Sequence, residues 1–277
     1  MKRIYLTLAL FSFIATTQVL NIASRNDDPS LMATLWVQNS AEYEAITLQT
    51  YKQAEAKLAE ALEDSSWTAS VEQHSGFSKL PPAIVLDIDE TVLDNSYYQA
   101  RLILDNDSFS EESWADWVYE SNATAIKGAV KFTKMADSLG IRVFYVSNRD
   151  ANLMSDTIDN LKMHGFPMHD KIHTVLLKGE RATWTSSKVN RRKWVVARYR
   201  ILMMVGDDLN DFLPAKEHSP TARKQMIEDY ESFIGTRWFV LPNPVYGSWE
   251  RTLNLTEKQD LKAVNAQGIY RFLNPLR

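Results

Sequence analysis

Ile84-Val85-Leu86-Asp87-Ile88-Asp89-Glu90-Thr91-Val92-Leu93-Asp94 joins an apolar, β-branched run to two aspartates one residue apart and then a threonine. Residues i and i+2 of a strand point to the same side. If the strand continues through Asp89, the carboxyl groups of Asp87 and Asp89 face one point. Like charges that close resist double ionisation unless a cation lies between them or one keeps its proton. The stretch therefore calls for a metal ion, a shared proton, or turn chemistry at the end of a strand.

The rest of the chain bounds what such a site could serve. With 277 residues, 45% of them hydrophobic, the chain can bury a sizeable core as one large domain or as a core with an insertion. A net charge of -4 argues against binding a nucleic-acid polymer through bulk basicity. The short run Arg191-Arg192-Lys193 reads as a solvated helix face. Lys2 and Arg3 precede an apolar run from Ile4 to Ala15, the pattern of an export signal over residues 1–23 with cleavage near Ala23-Ser24. An uncleaved anchor is the alternative, and only then would a membrane be a partner. There is no cysteine, hence no disulfide and no lipid-bearing cysteine, so an exported chain would rely on its core or on bound metal.

Helical spacing over about 39–62 places Tyr43, Ile46, Tyr51, Ala54, Leu58 and Leu62 on one face, with Asn39 and Glu42 spaced as a capping box. Trp67 to Lys79 reads as a polar loop, and Pro81-Pro82 bars a helix before the first strand. Four further strands are expected at Arg142–Val146, Ile172–Leu177, Ile201–Val205 and Trp238–Leu241. Helices are expected from Gly128 to Leu139, from Ala151 to His164, and from a Ser186 or Ser187 cap to Tyr199. This alternation predicts an α/β fold, a Rossmann-like parallel sheet with helices on both faces. The aromatic and acidic segment at about 95–126 is expected to form a mostly helical insertion, either a cap over the site or a homodimer contact.

In such sheets ligands bind beyond the carboxyl ends of the strands. Polar clusters follow three of the strand candidates: Asp87 after the first, Ser147-Asn148 after the second, and Gly206-Asp207-Asp208-Leu209-Asn210-Asp211 after the fourth. Carboxylates without histidine or cysteine suit a hard divalent cation, and a few carboxylates open to water favour magnesium. Metal and a lysine can neutralise phosphate oxygens while a serine and an asparagine donate hydrogen bonds. One aspartate can attack phosphorus, and its neighbour two residues on can manage protons. No HExxH, GxSxG or P-loop spacing occurs, so zinc-protease, serine-hydrolase and P-loop readings lack support.

The segment Asp87-Ile88-Asp89-Glu90-Thr91 resembles the first motif of the haloacid dehalogenase superfamily, Ser147 with Asn148 its second, and Gly206 to Asp211 its fourth. DIDETVLDNS, VSNR, VGDDLNDF, NPVYGSWE and the early Leu35–Tyr43 segment together resemble class C bacterial acid phosphatases, of the lipoprotein e and 5'-nucleotidase type. The resemblance implies a haloacid dehalogenase-like domain over 35–277 that hydrolyses small phosphomonoesters with Mg2+ in the periplasm or outside the cell. It implies that Asp87 is nucleophile and metal ligand, that Asp89 is general acid/base and lends its main-chain carbonyl to the metal, and that Asp207 is the third ligand. Asp208 and Asp211 would lie in the metal's outer shell, and Ser147 and Asn148 would hold the phosphoryl group. Lys188, followed by Arg191, fits the expected lysine spacing, with Lys178 as the alternative. A nucleobase would stack on an aromatic ring: Tyr246 in NPVYG, Tyr97 or Tyr98, with Trp114 and Trp117 also candidates. Transfer of the phosphoryl group to an alcohol, or a non-catalytic exported binding protein, are the rival readings.

Overall fold

The computed structural model describes residues 28–169 and 171–253; the expected signal or anchor at 1–23 and the last part of the expected domain lie outside the described residues. Strands are β1 (Pro82–Leu86), β2 (Leu93–Asp94), β3 (Thr124–Ala125), β4 (Arg142–Asp150), β5 (Val175–Lys178), β6 (Arg200–Gly206) and β7 (Trp238–Val240). Helices are α1 (Leu31–Asn39), α2 (Ala41–Glu63), α3 (Ser96–Asp105), α4 (Glu111–Tyr119), α5 (Ala129–Ser138), α6 (Met154–Met163), α7 (Val189–Val196), α8 (Pro220–Asp229) and α9 (Ser248–Arg251).

The main sheet has the order β5-β4-β1-β6-β7, and all its pairs are parallel. A parallel sheet needs both faces covered, so its strands are apolar throughout and neighbouring side chains enter opposite cores. Ile84 and Leu86 of β1 join one buried cluster with Tyr51, Leu58 and Phe132, whereas Ala83 and Val85 join the other with Val195, Phe212 and Trp238. In β6 the alternation slips, since Leu202 and Met203 lie in the same cluster. A register shift against β1 between Ala83 and Ile84 accounts for it, because a bulge inserts one residue without a partner. The slip turns the Leu202 carbonyl to the Trp67 Nε1, which donates to it at 2.7 Å. The segment expected as a polar loop thus contributes buried Trp67 and Ala69 to the core.

Helix α2 begins at Ser40, whose hydroxyl accepts from the Tyr43 amide, with Glu42 and Glu44 in the first turn favouring the positive end of the helix. Asn39 was the expected cap; it is instead the last residue of α1, where its side chain donates to the Leu35 carbonyl. Tyr51, Ala54, Leu58 and Ala61 form the buried stripe of α2, each large apolar member contributing about 1.5–3 kcal/mol. At the far end the Arg200 guanidinium donates to the carbonyls of Ala61, Leu62 and Asp64, satisfying acceptors that the helix end leaves free.

The third strand starts later than the spacing predicts, at Val175, and β4 runs on to Asp150. Between β1 and α5 the chain makes an excursion: helices α3 and α4 stand on a two-residue antiparallel pair, Leu93 opposite Ala125 and Asp94 opposite Thr124. Among the described residues no helix is long and apolar enough to cross a membrane.

Candidate active site

Strand β1 ends at Leu86, so the alternation that would aim Asp87 and Asp89 at one point stops before it reaches them. The Asp87 amide still donates to the Val205 carbonyl at 3.0 Å, extending the ladder to β6 by one bond. The chain then folds into a tight turn: the amides of Val92 and Leu93 both donate to the Ile88 carbonyl, and Glu90 adopts a positive φ of 55°. Ile88 is fully buried between the two aspartates. Their carboxylates meet different partners as a result, which corrects the expectation of a shared point.

Asp87 meets the ammonium of Lys188 at 2.5 Å, and the same Nζ reaches Asp211 at 2.6 Å. Asp207 lies beside them, accepting from the Thr91 hydroxyl at 3.1 Å and from the Asn243 amide at 2.8 Å. Carboxylate oxygens of Asp87, Asp207 and Asp211 lie within 4.8 Å of one another. Burial pushes Asp87 up to about 7, helped by the Asp211 and Asp89 carboxylates and opposed by Lys188. Burial, with Asp211 and Asp87, likewise holds Asp207 well above the usual carboxylate range, and burial raises Asp211 against the pull of Lys188. Burial alone would lower Lys188, but Asp211 and Asp87 hold it above its usual value. Three carboxylates, Asp211 buried and Asp87 and Asp207 partly buried, face one ammonium and leave an excess of negative charge. The donors are all oxygen, so the cluster fits a hard divalent cation. Asp211, expected in an outer shell, is one of the three carboxylates that converge; the Asp89 side chain is not.

Asp208 points away. Its carboxylate accepts from the Asn210 amide and from both the amide and the hydroxyl of Ser248. Burial works against its ionisation, yet these bonds outweigh it and hold the carboxyl below the usual range. It ties the loop after β6 to the NPVYGS segment. Gly206 lets that loop close: a Cβ there would lie 2.2 Å from Oδ2 of Asp211. Gly206→Ala is therefore expected to lower stability by about 1–3 kcal/mol, as overpacking does, read as a lower urea midpoint at unchanged m-value. An unchanged midpoint would mean that Asp211 is free to move aside.

One helical turn ties the end of β4 to the loop after β6. The expected serine cap of α7 is not formed; Lys188 occupies the N-cap position and sends its side chain into the carboxylates. Arg191 donates to the Ser147 carbonyl, to Oδ1 of Asn148 at 2.6 Å and to the Thr185 carbonyl at 2.8 Å. Arg192 donates to the carbonyls of Asn210 and Asp211 and pairs with Glu72 at 2.6 Å. Arg191 and Arg192 are 0% and 1% exposed, which overturns the reading of this basic run as a solvated face; of the three only Lys193 is exposed. Burial lowers Arg191 to about 10, still protonated at neutral pH. Because Arg191 fixes Oδ1 of Asn148, the amide nitrogen is left to donate outward.

Asp89 accepts from Arg149 Nε at 3.0 Å and NH2 at 2.8 Å, from Asn95 at 3.0 Å and from the Ser147 hydroxyl at 3.0 Å. Neither Arg149 nor Asn95 was singled out from the sequence, although both adjoin motif residues: VSNR ends in one and DNS contains the other. Lys178 is not in the cluster; it pairs with Asp150 at 3.1 Å on the partly exposed end of β5. Tyr98, 2% exposed, packs edge-on against Trp114, and Trp117 is buried with it, so neither offers a free face for stacking. Tyr97 is exposed on α3. Tyr246 is half-buried against the cluster of Val37, Tyr43 and Val245, and its amide donates to the Asn243 side chain that also reaches Asp207.

Comparison with known proteins agrees with this arrangement. The family described as HAD superfamily, subfamily IIIB (Acid phosphatase), matches residues 14–249. The solved class C acid phosphatase from Bacillus anthracis is 32% identical, with a TM-score of 0.78 over 90% of this chain and 98% of that one. A tungstate-bound structure of that enzyme gives 31% and 0.77 over the same shares. Acid phosphatase 1 of Solanum lycopersicum is 30% identical over 166 residues, 58% of this chain and 57% of its own. A stem 28 kDa glycoprotein of Glycine max is 27% identical over 167 residues, 58% of each chain. The chain thus spans little more than half the length of these plant relatives. A haloacid dehalogenase-type parallel sheet, an acidic cluster at its carboxyl edge and a match over most of the chain place this protein in subfamily IIIB of the HAD superfamily, the acid phosphatases.

Proposed function

We propose that the protein is a magnesium-dependent phosphomonoesterase that works through an aspartyl-phosphate on Asp87. The observation that carries this reading is the partly buried Asp87 carboxylate beside Lys188 at 2.5 Å, within one group with Asp207 and Asp211. These three carboxylates would hold the cation, which when bound supplies positive charge to the phosphoryl oxygens. Tungstate, which binds the Bacillus enzyme, is a tetrahedral oxyanion like phosphate. An oxyanion of that shape suits the Lys188 ammonium and the Asn148 amide; the Ser147 hydroxyl, which donates to Asp89, would reach it only by giving up that bond.

The Asp87 carboxylate forms a bond to phosphorus as the ester P–O bond breaks, and the departing oxygen takes a proton from Asp89. Asp89 then removes a proton from water. The water oxygen attacks phosphorus, the Asp87–phosphorus bond breaks, and inorganic phosphate leaves. Asp89→Asn keeps the shape but cannot carry the proton, so kcat is expected to fall about 10²–10⁴-fold. Wild-type turnover in that variant would remove Asp89 from the mechanism. Nucleoside 5'-monophosphates are the proposed substrate class, and Tyr246, tied through Asn243 to Asp207, is the residue proposed to meet the base. We read the α3–α4 excursion as a cap, and residues 1–23 as an export signal that directs the enzyme to the periplasm or the medium.

Purified protein is expected to release inorganic phosphate from nitrophenyl phosphate and nucleoside monophosphates. A chelator should abolish release and magnesium should restore it, whereas undiminished release in chelator would rule out the metal. Phosphate transferred mainly to added glycerol would make the enzyme a phosphotransferase instead.

A further inference from the structure

Asp89 carries its donors unevenly. Oδ1 accepts three hydrogen bonds, two from Arg149 and one from Asn95, while Oδ2 accepts one, from Ser147. Both partners of Oδ1 are buried and are themselves held. Asn95 is 0% exposed; its amide nitrogen and main-chain N–H donate to Glu90, and its Oδ1 accepts from Trp117 Nε1 at 2.8 Å. Arg149 donates NH1 to the Thr157 hydroxyl, and its guanidinium lies over the Trp114 ring at 5.6 Å. Trp114 and Trp117 stand three residues apart on α4, a spacing that puts both on one helix face. The two routes into Oδ1 therefore start from one element, the second helix of the excursion.

We infer that Arg149 and Asn95 are positioning residues that clamp Oδ1 of Asp89 and reserve Oδ2 for the proton given to the departing ester oxygen, with α4 holding the clamp through Trp114 and Trp117. This rests on the role proposed above for Asp89. The Trp117 bond has a specific function: by occupying Oδ1 of Asn95 it forces the amide nitrogen toward Asp89. Without it the amide can turn over and set an oxygen against the carboxylate. Arg149 fixes the carboxylate plane, because Nε and NH2 approach the same oxygen from a rigid fork.

The test uses leaving-group dependence. Trp117→Phe removes the N–H and keeps a ring in the core; Arg149→Lys keeps the charge and loses the fork. For glycerol phosphate, whose alkoxide leaves poorly without a proton, kcat/KM should fall about 10-fold or more in each variant, within the span of general acid catalysis. For nitrophenyl phosphate, whose leaving group needs little help, the fall should stay under about threefold. In an Asp89→Asn background neither change should widen the gap between the two esters, since the group they position is gone. Equal losses for both esters, or additive losses in the Asp89→Asn background, would overturn the inference and make the residues merely structural. If Asp89→Asn itself fails to distinguish the esters, the assignment of Asp89 as proton donor fails instead. Thermal midpoints of both variants near that of the wild type would exclude misfolding, and Trp117→Phe tests the clamp should Arg149→Lys not fold.

Discussion

Asp87→Asn is expected to lower kcat by at least about 10⁴-fold, the scale on which losing a nucleophile is felt. Asparagine keeps the size and the main-chain bond to Val205, so the loop after β1 should keep its shape. The variant should also be no less stable than the wild type at neutral pH without metal. Burial and the neighbouring carboxylates raise Asp87 from 3.8 to about 7 in the folded protein. A carboxyl raised in this way favours the fold fully below its unfolded value and loses that contribution as pH rises through about 7. Chelated wild-type protein should therefore weaken between about pH 4 and 7, and Asp87→Asn should weaken less. Thermal midpoints across that range check the sign, and kcat on nitrophenyl phosphate checks the chemistry. Near-normal kcat would exclude Asp87 as nucleophile.

Lys188→Met carries the second large effect, on both stability and turnover. Its ammonium is the cation shared by Asp87 and Asp211, at 2.5 and 2.6 Å, and its side chain is 5% exposed. Removing it leaves the buried Asp211 and the partly buried Asp87 carboxylates without their counter-charge, a change that costs about 3–5 kcal/mol. Loss of a charged donor to the reacting phosphoryl group should cost about 10²–10³ in kcat. Two observations separate the effects. Lys188→Met with Asp211→Asn should recover part of the stability, because the pair is coupled, but none of the rate. A stability loss under about 1 kcal/mol in Lys188→Met would mean that the ion pair adds little to the fold.

Much of the fold was legible because a parallel sheet buries both faces of its strands, which makes each strand an unbroken apolar run in the sequence. The polar clusters at Asp87 and Asp207 were legible for the same reason, because the change from apolar to polar marks where β1 and β6 end. At Ser147 the same change marks polar side chains inside β4, where Ser147 and Arg149 are buried. What escaped depended on tertiary partners. Helix α1 gave no cap signal, since the Ser30 side chain makes no capping bond, and only the extended Ser40 separates it from α2. Arg191 and Arg192 looked like solvated charges because the groups that justify their burial, carbonyls of Ser147, Asn210 and Asp211, come from β4 and from the turn after β6, far off in sequence. The divergence of Asp87 and Asp89 followed from a strand ending at Leu86 and a turn at Glu90, neither of which has a periodic signature. Tyr98 differs from Tyr97 only in helix phase, which sets one in the core and the other in water.

The most direct test of the account is a single-turnover reaction stopped in acid within the first turnover and followed by peptide mass spectrometry. A phosphoryl adduct on the peptide containing Asp87, present in the wild type and missing from Asp87→Asn, is the predicted result. An active wild-type enzyme that shows no adduct at any time, or an adduct on another residue, would contradict it.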